Sequence, residues 1–398
     1  MSRQPMLNLW KYTVCNVVFC CLCILAAPAH PFGTDHPAWT WHEADTELYD
    51  PQFSPAGDEI ALVRKRHVPD GAEAEMTPEA QIEERFRRID QNERYADPEV
   101  IVLKIGSGEL MRLDWGWAPS FSPDAGRIAY AHQTKPISRL RVLAETLKGN
   151  EVRVFDRNRK TGTTLVKPEF GYLSDPIFAP DGKFVIYSIG DATNGAYGGN
   201  VGIGRVDVES KVNEILYPPT KEYELYHLIP LKLYVSGELF ALRARPTGPG
   251  IYLAPSYVDE LLKVGPPASV VYSWGQHDWQ EQVPIAFAAA EDGGLLVYNG
   301  GWRKPGDKVE PRRGSPPKVK EDPGVPCPDG RLVVQAGEST LLVRELSTQK
   351  ALRSLSMKGH IQFLTWSSDS RRFAVIVTKY RDKDEEIPLF DELVVVAL

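Results

Sequence analysis

Six aromatic and imidazole side chains have the types and spacing for molecular recognition: Trp117, Tyr172, His227, His277, Trp279 and His360. Each lies just ahead of a segment that reads as a β-strand. A flat apolar ring with a polar edge binds peptides, sugars or partner loops at little cost in conformational entropy. Trp41 and His42 are candidates to join them. The same positions also suit rings that pack between sheets and shield their ends, and both readings stand at this point. No catalytic residue is identified. The chain has no Gly-x-Ser-x-Gly elbow, no His-Glu-x-x-His and no cysteine pair at zinc spacing. The expectation is therefore no metal and no cofactor. The glycine-rich run Gly198–Gly204 precedes a strand rather than a helix, so it reads as a loop and not a phosphate cradle.

The elements that position these residues follow from internal repeats. PQFSPAGDEIALV (51–63), PSFSPDAGRIAYA (119–131), PIFAPDGKFVIY (176–187), VPCPDGRLVV (325–334) and LTWSSDSRRFAVI (364–376) share one form. An apolar segment meets a Pro or Ser, then an Asp/Gly turn, then an alternating apolar strand. Weaker copies are LYVSGELFALRA (233–244) and AFAAAEDGGLLVYNG (286–300). Each copy is a hairpin: Pro presets φ, Gly accepts positive φ, and the flanking side chains alternate between two faces. Asp124, Asp181 and Asp329 recur in these turns, which marks them as turn caps rather than a catalytic set. Cys327 stands where other copies have Ser or Ala, which marks it as a small packed residue.

Further strand candidates between the hairpins bring each repeat to about four strands. The spacing from Pro123 to Pro180 is 57 residues and from Pro328 to Ser368 is 40. Four strands at such a period indicate the blades of a β-propeller. The expected fold is all-β: a seven-bladed β-propeller of four-stranded antiparallel blades, with six blades as the alternative. Residues 39–43 are expected to supply the outer strand that closes the ring. The FSPDG-type hairpins resemble the repeats of TolB and of prolyl oligopeptidase propellers, over most of residues 38–398. The resemblance implies the propeller alone, without the TolB N-terminal domain or a hydrolase domain.

Residues 1–29 read as a signal peptide. Arg3 and Lys11 precede an apolar run over 12–27, and Ala27-Pro28-Ala29 offers a cleavage site. The run is too short for a stable membrane span, which needs about 20 residues. Export to the periplasm or the extracellular space is the expectation, with residues 30–398 as a TolB-like β-propeller domain. Cleavage would leave Cys327 as the sole cysteine of five, so no internal disulfide can form. The 42% hydrophobic and 25% charged content is that of a globular chain. A net charge of −7 argues against nucleic acid as a partner. A helical insertion is expected near 67–98, from Thr77-Pro78 and the spacing of Ile82, Phe86 and Ile89. A Pro-rich basic loop is expected at 303–324.

These features point to a monomeric, non-enzymatic binding or scaffold protein. Its partner would be a protein or small ligand at the channel-mouth face. The alternatives are a propeller hydrolase or lyase with its site at that mouth, and a stand-alone relative of prolyl oligopeptidase propellers. Fold alone does not choose among them.

Overall fold

A computed structural model describes residues 37–44, 46–66, 98–133, 150–167, 172–190, 201–218, 232–246, 256–265, 267–278, 286–298, 302–307, 323–337, 339–380 and 388–398. The expected signal peptide, the helical insertion and most of the Pro-rich loop lie outside these residues. Every regular element among them is a β-strand. The first, β1 (Trp39–His42), is discussed with its partner below. β2 (Thr46–Phe53), β3 (Glu59–Arg66), β4 (Glu99–Lys104), β5 (Leu110–Phe121), β6 (Arg127–Gln133), β7 (Asn150–Asp156) and β8 (Thr161–Val166) form one seven-stranded sheet. β9 (Tyr172–Phe178), β10 (Phe184–Gly190), β11 (Val201–Asp207) and β12 (Asn213–Tyr217) form a four-stranded sheet. So do β13 (Lys232–Val235), β14 (Glu238–Pro246), β15 (Ser256–Val264) and β16 (Ser269–Asp278). β17 (Ala286–Ala289), β18 (Leu295–Tyr298) and β19 (Trp302–Arg303) make a sheet of three. β20 (Val325–Pro326), β21 (Leu332–Ala336), β22 (Thr340–Glu345) and β23 (Ala351–Ser356) make another of four. β24 (His360–Trp366), β25 (Arg372–Tyr380) and β26 (Pro388–Ala397) complete the set, with β1 on the outer edge of β26.

This architecture corrects the expected blade count. The structure has five discrete blades of three or four strands, and a continuous sheet of seven strands, rather than seven four-stranded blades. Six equal blades fail for the same reason. The cause is β5. Its first half pairs with β4 up to Trp115, and its second half pairs with β6 from Gly116. No turn separates the halves, so the ladder passes from one partner to the next without a break. Gly116 permits the crossing: a Cβ there would sit 2.4 Å from the Ala131 carbonyl oxygen.

Hydrophobic clusters join neighbouring sheets around a ring. Leu48, Ile60 and Ile101 pack on Ile376, Leu393 and Val395. Val152, Val154 and Leu165 pack on Phe178, Val185 and Val206. Ile177 and Ile186 meet Leu239 and Ala241, and Phe240 and Leu261 meet Phe287 and Val297. Cys327, Val334 and Val343 pack on Trp366, Phe373 and Val375. Clusters of this kind bury sheet faces that a lone blade would leave exposed. β24 approaches β2, β5 approaches β9 and β13 approaches β17, each from one sheet to another, so these strands line the axis.

The ring closes as expected for residues 39–43, over Trp39–His42: Trp39 pairs with Val395 and His42 with Glu392. Trp41 and His42 therefore lie on an outermost strand, away from the axial mouth, and His42 stacks on Phe390. A second tie crosses the closure. Buried Asp391 accepts the Leu48 N–H at 2.8 Å and the Thr378 hydroxyl at 2.7 Å.

The repeated turns share one hydrogen-bond design. Ser122 Oγ donates to Asp124 at 2.6 Å and accepts the Arg127 N–H at 2.8 Å. Ser367 does the same with Asp369 and Arg372. Asp124, Asp181 and Asp329 each accept the N–H two residues on. Cys327 takes the serine's place: its Sγ–H donates to Asp329 at 2.8 Å and its Sγ accepts the Leu332 N–H at 3.0 Å. Burial, then Asp329, push the thiol up to about 12, so it is an unreactive turn cap.

Candidate binding site on the channel axis

The inner strands carry a shared irregularity that builds the site. Asp50, Ala118 and Asp175 each precede a proline in the repeats DPQF, APSF and DPIF. All three have left-handed backbones, with φ of 49°, 48° and 47°. Such a conformation costs a non-glycine residue about 1–2 kcal/mol. The pairing registers of β2, β5 and β9 slip at these points, between Tyr49 and Gln52, between Trp117 and Ser120, and between Ser174 and Ile177. A bulge interrupts the period-2 alternation and re-aims the side chains beside it. The carboxyls of Asp50 and Asp175 act on each other electrostatically although β5 stands between their strands. Both therefore face the same axial space.

Aromatic rings from three inner strands meet beside them. The Tyr49 ring on β2 lies 5.8 Å from Trp117 on β5 and 5.8 Å from Phe363 on β24, both edge-on. Lys65, near the end of β3, places its ammonium 4.9 Å from the Tyr49 ring centre and 4.7 Å from that of Trp117. The Tyr49 hydroxyl donates to Glu47, which fixes the ring.

The electrostatics of the cluster are strained. Asp50 is half-buried. Burial, then the Asp175 charge, push its carboxyl up to about 7, against the Ala118 N–H and Lys65. Burial lowers the Lys65 ammonium, and Glu47 and Asp50 oppose that. Burial and Glu47 raise the Tyr49 hydroxyl, so it stays protonated. The arrangement can hold a cation against aromatic faces or present a carboxyl that exchanges its proton near neutrality.

Of the six residues expected from the sequence, Trp117 belongs to this cluster. His360 opens β24, paired with Thr378 and three residues before Phe363. Tyr172 and His277 are placed by their backbones, opposite Gly190 and Tyr257. The side chains of Tyr172 and His277, and all of His227 and Trp279, lie outside the described residues. Sequence reasoning missed Tyr49, Asp50, Lys65, Asp175 and Phe363. The signal for two of them was present: Asp50 and Asp175 occupy one position of the repeat, each ahead of a proline.

No family model matches the chain, and no curated protein matches it. Solved structures do. The β-propeller domain of Cps50 (Swd1) from Myceliophteria thermophila aligns with a TM-score of 0.50 at 11% identity, over 91% of this chain and 99% of that one. The β-propeller domain of the Trilobed protease from Pyrococcus furiosus, described as having an open velcro topology, aligns at a TM-score of 0.49 and 11% identity, over 90% of this chain and 94% of that one. An acylaminoacyl peptidase aligns at 0.49 and 10% identity, over 88% of this chain and 51% of its own, so the chain spans about half of that enzyme's length. The first likeness supports the β-propeller fold. A TolB-like family is not confirmed.

Proposed function

We propose that the protein is an exported binding propeller that recognises a protein partner or small ligand at the axial mouth. In this reading it is released to the periplasm or the extracellular space after loss of residues 1–29, acts as a monomer and performs no catalysis. One observation carries the reading: Tyr49, Trp117 and Phe363 converge from three inner strands on one axial cluster. Rings held by mutual edge contacts lose little freedom on binding, which is the property of an interface anchor. Kinship with TolB-like propellers belongs to the same proposal.

The test is quantitative capture from an envelope or culture extract. Wild-type protein and Trp117→Ala are compared for the same identified partner. Affinity should fall at least tenfold in the variant at a temperature where its circular dichroism still matches that of the folded wild type. Equal affinity would remove Trp117 from the site.

A second reading has its own support. Two axial carboxyls, one pushed up to about 7, are what a hydrolase or lyase needs for acid–base work. Turnover of a glycoside or uronide panel that vanishes in Asp50→Asn would favour the enzyme.

A further inference from the structure

We propose that the axial cluster is a receptor for an organic cation, a primary ammonium or guanidinium on a ligand or partner chain, and that Lys65 holds its place in the free protein. The proposal rests on the binding reading above and names the chemistry of that site.

The cluster already accommodates an ammonium. Two aromatic faces stand 4.9 and 4.7 Å from the Lys65 nitrogen, within the distance at which a ring attracts a cation. Glu47 and Asp50 both act on that nitrogen, and Asp175 adds a further negative charge beside Asp50. Two carboxyl groups thus act on a single ammonium, and a third acts on one of the two.

The walls do not depend on Lys65. Tyr49 is held by Glu47 through its hydroxyl and by Trp117 and Phe363 through ring edges. Removing the ammonium leaves these contacts in place. Lys65 itself lies next to the final residue of β3, on a four-carbon stem that swings aside without moving the strand. A ligand cation must displace it, so Lys65 acts as a built-in competitor. Displacement exchanges one cation for another among the same carboxyls and rings, which keeps the local charge constant.

The experiment titrates wild type, Lys65→Ala and Lys65→Met with Nα-acetyl-lysine methylamide and Nα-acetyl-arginine methylamide. Nα-acetyl-norleucine methylamide is the uncharged control, and binding is read by calorimetry. Vacating the cage should tighten binding of at least one cationic probe tenfold or more, leave the norleucine probe unbound, and lose the gain when Trp117→Ala is added. Lys65→Met keeps the aliphatic stem, so it decides the matter if Lys65→Ala does not fold. Equal binding by wild type and both variants overturns the proposal, as does a gain shared by the norleucine probe. Should the probes fail while partner capture still depends on Trp117, the cation assignment falls and the binding reading stands. Should both fail, both fall.

Discussion

Replacing Asp50 with Asn should make the protein's stability less sensitive to pH, and the direction follows from the site. In the unfolded chain the Asp50 carboxyl loses its proton near its ordinary value of 3.8; in the folded protein it keeps it up to about 7. Between those values the folded state binds more protons. Wild-type stability from this group is fully present below about pH 4 and is lost as pH rises through 7. The gap of about three pH units, at about 1.4 kcal/mol each, sets a ceiling of roughly 4 kcal/mol. Water reaches part of this half-buried group, so screening brings the expected share down to about 2 kcal/mol. Asn keeps an acceptor for the Ala118 N–H and has no proton to lose. Urea melts of both proteins at pH 4, 5.5, 7 and 8.5 isolate the effect, because other titrating groups cancel in the difference. Stability of wild type relative to Asp50→Asn should drop by about 2 kcal/mol across that range. A difference that stays flat, or that rises with pH, would show that Lys65 holds the carboxylate ionised and that the burial argument fails.

Two further substitutions test the ring itself. Asp391→Ala strands the buried Leu48 N–H and Thr378 hydroxyl, and should cost about 2–4 kcal/mol in denaturant melts, with Asp391→Asn costing less. Gly330→Ala places a Cβ 2.5 Å from the Glu291 nitrogen at a φ of +70°, against backbone that cannot swing away. It should lower stability by about 2–4 kcal/mol. At Gly237, φ is +80° but nothing lies within 4 Å. Alanine there should cost only the backbone term, about 1 kcal/mol, and equal losses at the two sites would refute the steric account.

The hairpins were legible because their determinants are local. A Ser-Pro-Asp-Gly type turn and the alternating strand after it sit within a dozen residues, as in 119–131. The continuity of β5 was not legible, since nothing between Leu110 and Phe121 marks where one partner strand gives way to the next. That switch is set by the approach of Tyr130 and Ala131 to Gly116, a contact distant in sequence. The site divided in the same way. Trp117 was visible as an aromatic residue ahead of a repeat. Tyr49 and Asp50 were hidden by the bulge they flank, because strict alternation assigns the wrong face to residues beside a register slip.

The pairing of β1 with β26 gives the ring a direction of mechanical weakness. The two strands run antiparallel with Trp39 opposite Val395, so the flanking segments leave the pair at the same end. Tension applied between residues 37 and 398 would load the Trp39–Val395 rung first and then peel the ladder one rung at a time. Hydrogen bonds perpendicular to the strands share no load in that geometry, whereas sliding the strands along their length would strain them together. Resistance to peeling then falls mainly on Trp39 and Trp41, whose rings pack on the cluster formed by Leu48, Ile376 and Leu393. A pull between residues 37 and 398 would therefore open the ring at one strand rather than through its core clusters.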